Sequence, residues 1–335
     1  MDHPSQFIRS LPKAELHLHL EGSIEPETVV ELAANHGQAL DRVEAEKMFH
    51  YTDFAGFLLC FRAITLHMIT PEDYELITYR LMQRLARENV LHAEVYVSVG
   101  VCHLWERDFD AIFEGLERGR QRGERDFGVS LYWIADAVRH FGIEKAQRVV
   151  DDTAKYLDRN MIGFGLGGDE ARGPAELFGE VYASAARHGL RLTCHAGETT
   201  GPESVWGALR ALKTERIGHG LTAYRDPELI KYLHDQQIPV EINVTSNVRT
   251  GSCESYEAHP LRQYFDEGLL VTLNTDDPGL FETTLSREYQ IAQDLYGFTE
   301  DELKQLAMNS FRASFLPEEK KREFLRRFCR SGASV

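Results

Sequence analysis

The sequence predicts an α/β fold, a (β/α)8 TIM barrel with extra helices after strand 1 and at the C-terminus. Three observations predict it. Eight short apolar runs alternate with helix-patterned stretches. Several of these runs are apolar without interruption, as strands buried on both faces of a parallel sheet must be. The polar residues that stand out gather at the carboxyl ends of the runs, where barrels of this kind carry their sites.

Taken in order, the strands are Ala14–Leu20, His92–Val99, Ser130–Val138, Ile162–Leu166, Arg191–His195, Arg216–His219, Val240–Asn243 and Leu270–Asn274. The stretches Pro71–Glu88, Asp108–Arg125 and Gly142–Asp158 carry helical spacing and charge. Strand–helix alternation on this scale selects a parallel barrel with right-handed crossovers. The connection after the first strand is long and holds two helices, Ile24–Gly37 and Tyr51–Ile69. The tail Thr299–Arg330 reads as further helices, with Pro317 opening the last. Without a linker, low-complexity stretch or repeat, residues 1–335 are expected to form one domain.

Composition narrows the function. Of 335 residues, 43% are hydrophobic and 27% charged, a globular balance. A net charge of −16 argues against a surface built to hold nucleic acid, which needs clustered Lys and Arg. No apolar run is long enough to span a membrane, so no membrane partner is expected. Cys60, Cys102, Cys194, Cys253 and Cys329 are scattered, odd in number and lack a C-x-x-C pair. A reducing compartment follows. With no secretory layout at the N-terminus, a cytoplasmic location is expected. Self-association into a homo-oligomer is left open.

The chemistry is carried by His17-Leu18-His19, His195, Glu198, His219, Asp276 and Asp277. In a strand, side chains i and i+2 share a face, so His17 and His19 can grip one ion together. His195 and Asp276 complete a three-nitrogen, one-oxygen set suited to zinc. A lone histidine is more often a core residue, but burying four such groups without a metal would cost several kcal/mol. One Zn2+ per chain is expected. Glu198 is placed to donate a proton, or else to stabilise a helix start. His219 is placed to orient a water and take its proton, or else to cap a strand end. Asp277 precedes Pro278 and can also serve as a helix cap. Phe57 and Phe61 belong to an apolar helical stripe that serves as core or roofs the pocket.

These segments, with Pro12–Gly22, Gly168-Asp169-Glu170 and Arg216–Gly220, resemble the adenosine deaminase family of metal-dependent barrel hydrolases in order and spacing, from residue 12 to 278. The resemblance implies that His17, His19, His195 and Asp276 ligate zinc and that Glu198 protonates purine N1. It implies that His219 aligns the hydroxide attacking C6, Asp277 holds N7 and the Gly168 N–H bonds N3. Glu21 occupies the position that contacts the sugar in adenosine-type members.

The expected reaction is hydrolytic deamination of an adenine nucleoside, adenosine or 2′-deoxyadenosine, to inosine and ammonia in purine metabolism. Glu21 and the Phe57–Phe61 face are read as meeting the sugar. The alternatives are deamination of 6-aminodeoxyfutalosine in menaquinone biosynthesis, or of adenine. An acidic 5′ extension, as in 6-aminodeoxyfutalosine, would call for Arg62 or Arg249 near the sugar end. An amidase or esterase would use the same metal, but the one-metal pattern together with Glu198 and Gly168 favours an aminopurine. A nucleic-acid base editor fits poorly, because the H-x-E…P-C-x-x-C pattern is missing and the charge is wrong.

Overall fold

The computed structural model describes residues 4–330. Eight parallel strands follow one another around the sheet in chain order. They are β1 (Lys13–His19), β2 (Val90–Val97), β3 (Ser130–Val138), β4 (Met161–Gly167), β5 (Arg191–Ala196), β6 (Arg216–His219), β7 (Val240–Ile242) and β8 (Val271–Leu273). The apolar runs become these strands because their side chains have two faces to bury. Val95, Phe164, Ile217, Val240 and Val271 are fully enclosed.

The ring closes between β1 and the segment after β8. Asp276 N–H donates to the His17 carbonyl at 3.0 Å, and His19 N–H donates to the Asp276 carbonyl at 2.8 Å. Below that point side chains replace ladder bonds. Asn274 Oδ1 accepts the N–H groups of Leu16 and His17 at 2.9 and 3.2 Å. Glu15 Oε1 accepts the N–H and hydroxyl of Thr275 at 3.0 and 2.5 Å.

Helices surround the barrel, and two sequence expectations need correction. The second strand ends at Val97, and Val99 opens a short helix to Leu104. The expected helix Gly142–Asp158 is α-helical only over Ile143–Thr153. It tightens to a 3-10 segment, Ala154–Arg159, closed by left-handed Asn160. The stretch after the first strand forms the helix Phe54–Thr65, capped by Asp53, whose carboxylate accepts the Gly56 N–H at 2.7 Å. The tail folds as Glu300–Ala313 and Glu318–Arg330, with Pro317 just before the second. Among the described residues no helix is long and apolar enough to cross a membrane.

The barrel interior holds charge as well as apolar groups. Arg216 is buried between Glu94 and Glu241, with Nε 2.6 Å from Glu241 Oε1 and the guanidinium 3.7 Å from the Phe315 ring. Burial would raise the Glu94 carboxyl, but Arg216 and His92 bring it down to about 2.

The seam generates a test. Asn274→Ala strands two buried N–H groups of β1, each costing about 1–3 kcal/mol. A stability loss of about 2–6 kcal/mol is expected in urea unfolding. A loss under about 0.5 kcal/mol would mean that the seam bears no load.

Candidate active site at the carboxyl end of the barrel

Alternation along β1 directs His17 and His19 to the barrel axis, and β5 delivers His195 beside them. His195 Nε2 lies 3.0 Å from His17 Nε2 and 3.1 Å from His19 Nε2. Asp276 Oδ1 is 3.3 Å from both Nε2 atoms of β1. The four donor atoms lie within 4.8 Å of one another, and all four residues are buried. The structure therefore brings together all four residues of the expected ligand set.

The donor chemistry fits a divalent cation. The facing imidazole nitrogens cannot all satisfy one another, since His195 Nε2 faces two ring nitrogens and can share one proton with only one of them. His17 Nδ1 donates to Glu241 Oε2 at 2.8 Å, which turns Nε2 into the cluster, where a metal cation would replace its proton. Burial pushes His19 down to about 4 and His195 well below the usual histidine range, so both present lone pairs. Asp276 stays ionised: burial opposes this, but His17 holds it low. The same two carboxylates, Asp276 and Glu241, lift His17 to about 10 against desolvation. Positive charge is called for at this point, and a proton or a metal cation supplies it.

Two site residues sit in a conformation that side chains seldom adopt. His219 has φ of 64° and Asp276 has φ of 65°, both left-handed. Such backbone costs about 1–2 kcal/mol per residue and persists only where neighbours enforce it. For Asp276 the enforcing contacts are the seam bonds and a hydrogen bond from Ser246 Oγ to Oδ2 at 2.6 Å.

Glu198 is held by its loop. Glu170, at the end of the glycine-rich segment after β4, accepts the N–H groups of Gly197, Glu198 and Thr199, each at 2.8 Å. Burial, then Asp276 and Glu170, push the Glu198 carboxyl well above its ordinary value. Asp277 is raised for the same reason, by burial and then by Asp276 and Glu21. Its carboxylate lies over Gly22, where a Cβ would stand 1.7 Å from Oδ1. His219 Nε2 faces Glu198 Oε2 at 3.6 Å.

A cavity of about 490 Å³ rises from this cluster. Gly168, Phe57, Phe61, Glu198, His219 and Asp277 all line it. Glu21 stands behind the wall: it is buried, and Oε1 accepts the N–H of Ser98, itself a lining residue. Arg62 lines the cavity. Arg249 pairs instead with Glu282 at 2.9 Å. Arg172 and His140 at the rim, Asp136 in the wall, and the supports Glu170, Glu241 and Ser246 were not read from sequence. Asp136 and Glu241 did leave a signal, since each is a lone acid inside an apolar strand. Burial raises Asp136 to about 8, and its Oδ1 has no hydrogen-bond partner among the described residues.

A parallel barrel with three histidines and a carboxylate converging at its carboxyl mouth defines a hydrolase of the metal-dependent type. A sequence model of adenosine deaminase matches residues 12–330. The chain belongs to the adenosine deaminase family. It is 39% identical over 317 residues to an aminodeoxyfutalosine deaminase of Streptomyces avermitilis, covering 92% of this chain and 88% of that one. Among solved structures, the adenine deaminase of Arthrobacter aurescens superposes with a TM-score of 0.92 at 30% identity, covering 97% and 100% of the two chains. An amidohydrolase from Burkholderia ambifaria, solved with bound zinc, gives 0.89 at 28% identity, covering 97% and 91%. The names of these relatives favour the alternatives, aminodeoxyfutalosine and adenine, over the plain adenosine expected from sequence.

Two outcomes follow. Asp276→Ala removes the charged donor, so elemental analysis should find metal and activity lost together. Metal retained at full stoichiometry would refute the ligand set. Gly22→Ala pushes the Asp277 carboxylate aside. It should lower kcat/KM by up to about 10-fold, the value of one neutral hydrogen bond, while metal content stays. Unchanged kinetics would show that Asp277 does not touch the substrate.

Proposed function

We propose that this enzyme hydrolyses the 6-amino group of an adenine ring that carries a large, acid-bearing substituent, as in aminodeoxyfutalosine. The observation that carries this reading is the shape and lining of the cavity. Its inner end holds the donor cluster, Glu198, His219 and Asp277. Its outer wall is apolar, with Phe54, Leu58, Phe61, Leu104 and Phe141. At the rim stand Arg62 and Arg172, neither paired with a carboxylate among the described residues. A free base would leave that outer part unused. An apolar arm ending in an acid would fill it, because guanidinium groups bind carboxylates in bidentate fashion.

His17, His19, His195 and Asp276 would hold zinc, which supplies a nucleophilic water at neutral pH. The remaining steps belong to the chain. Glu198 holds the first proton of the water and passes it to purine N1, while the C6–O bond forms. It then carries the second proton from that oxygen to N6, the C6–N6 bond breaks and ammonia leaves. Asp277, protonated through its raised pKa, donates to N7. The Gly168 N–H meets N3, and Glu21 steadies the Ser98 wall from behind. The products are the 6-oxopurine and ammonia.

A second reading, free adenine as substrate, is favoured by the likeness to the adenine deaminase structure. A panel of adenine, adenosine, 2′-deoxyadenosine and aminodeoxyfutalosine, followed by ammonia release, separates them. Aminodeoxyfutalosine should show the highest kcat/KM. Arg62→Ala and Arg172→Ala should each lower it by about 10-fold or more for that substrate and spare adenosine. Adenine turned over best would overturn the assignment.

Glu198→Gln should retain metal and lose about 10²–10⁴-fold in kcat, the usual worth of a positioned proton donor. The sign of the pH dependence follows as well. Carboxyls raised by burial hold their protons to higher pH than ordinary acids, so kcat/KM should fall as pH rises through their ionisation. An alkaline limb that is unchanged in Asp277→Asn would remove Asp277 from that role.

A further inference from the structure

We infer that His259 and Asn247 are positioning residues: they lock His219 in the tautomer with its proton on Nε2, so His219 meets the attacking oxygen as a hydrogen-bond donor.

The inference starts from a group whose role is fixed. The backbone N–H of Leu261 can only donate, and it points at His259 Nδ1 at 3.2 Å. Nδ1 is therefore a lone pair, and the ring proton of neutral His259 sits on Nε2. Nε2 lies 3.2 Å from Asn247 Oδ1 and donates to it. That contact fixes which end of the Asn247 amide is oxygen. The nitrogen end then donates to His219 Nδ1 at 3.0 Å. Asn243 Nδ2 approaches the same atom at 3.3 Å. With two amide donors facing it, Nδ1 of His219 is an acceptor and the proton is left on Nε2. That nitrogen faces two carboxylate oxygens, Glu198 Oε2 at 3.6 Å and Asp276 Oδ2 at 3.9 Å. The opposite setting fails at its first link, where it would press an imidazole N–H against the Leu261 N–H.

Burial supports the neutral state: it holds His259 at about 3. His259, Asn247, Asn243 and His219 are all buried, so water does not compete for these bonds. His219 thus keeps its proton through turnover, and the expectation that it takes the proton of the water is replaced. Both protons move through Glu198, in the balance given above.

The test is 15N NMR of the zinc-loaded, histidine-labelled enzyme, with His219 assigned by its loss in His219→Gln. The expected spectrum shows a pyridine-type Nδ1 and a pyrrole-type Nε2. A pyrrole-type Nδ1 would overturn the proposal. Asn247→Asp replaces the donor with an isosteric acceptor, so the tautomer should invert. With aminodeoxyfutalosine, kcat should fall about 10²–10³-fold, the usual worth of one aimed donor, while KM and zinc content hold. In His259→Phe the Asn247 oxygen loses its anchor and kcat should fall. In His259→Gln an amide N–H can replace the imidazole donor and should restore much of it. Inversion in Asn247→Asp with undiminished kcat would also overturn the proposal. The kinetic arm rests on the deaminase reading, whereas the NMR arm needs no substrate and can fail independently of it.

Discussion

The structure depends on one seam. An eight-stranded barrel is stable only if its last strand reaches its first, because an open edge leaves a row of unpaired backbone groups. Here β8 is three residues long, and the joining is completed by Asn274, Thr275 and Asp276. The two backbone bonds of Asp276 go to His17 and His19. The bonds that close the barrel therefore also bring three of the four donors together. Fold and site are one construction: a change that opens the seam dismantles the cluster.

Around the cluster, neighbouring carboxyl groups are pushed in opposite directions. Burial opposes the charge of Asp276 but histidines hold it low, while Asp277, next in sequence, is raised by burial and by Asp276 itself. Glu170 is held low by Arg139 and by backbone and hydroxyl donors, although burial opposes it. Glu198, which those same donors leave unserved, is raised. Pairs of carboxyls pushed apart by their surroundings can divide acid and base duties within one small site. The polar floor extends this order. Arg216 joins Glu94 to Glu241, and Glu241 orients His17, so a guanidinium below the site helps set the lone pair at its centre.

On the proposed function, substrate choice falls away from the chemistry, because Glu198, His219 and Asp277 at the inner end of the cavity meet only the purine ring. In the proposed reading the outer cavity makes the selection, where the helix Phe54–Thr65 supplies an apolar wall and Arg62, and the turn after β4 supplies Arg172. Contacts made there to a non-reacting arm can be used to lower the barrier at C6.

Much of this was legible in the sequence. Burial on two faces writes a strand as a continuous apolar run, so the eight strands and their order were readable within two residues. The i, i+2 spacing of His17 and His19, and the placing of His195, His219 and Asp276 at strand ends, gave the cluster, since strand geometry fixes direction locally. The sequence could not choose between Arg62 and Arg249, because that depends on the path of two surface segments. It could not reveal that Glu170 serves the backbone of Gly197–Thr199, that Asn274 closes the ring, or that Leu261 sets the proton of His219 through His259 and Asn247. Local periodicity is set by neighbours along the chain and can be read from it. Which polar group finishes opposite which is set by packing between segments many residues apart, and only the tertiary structure decided that.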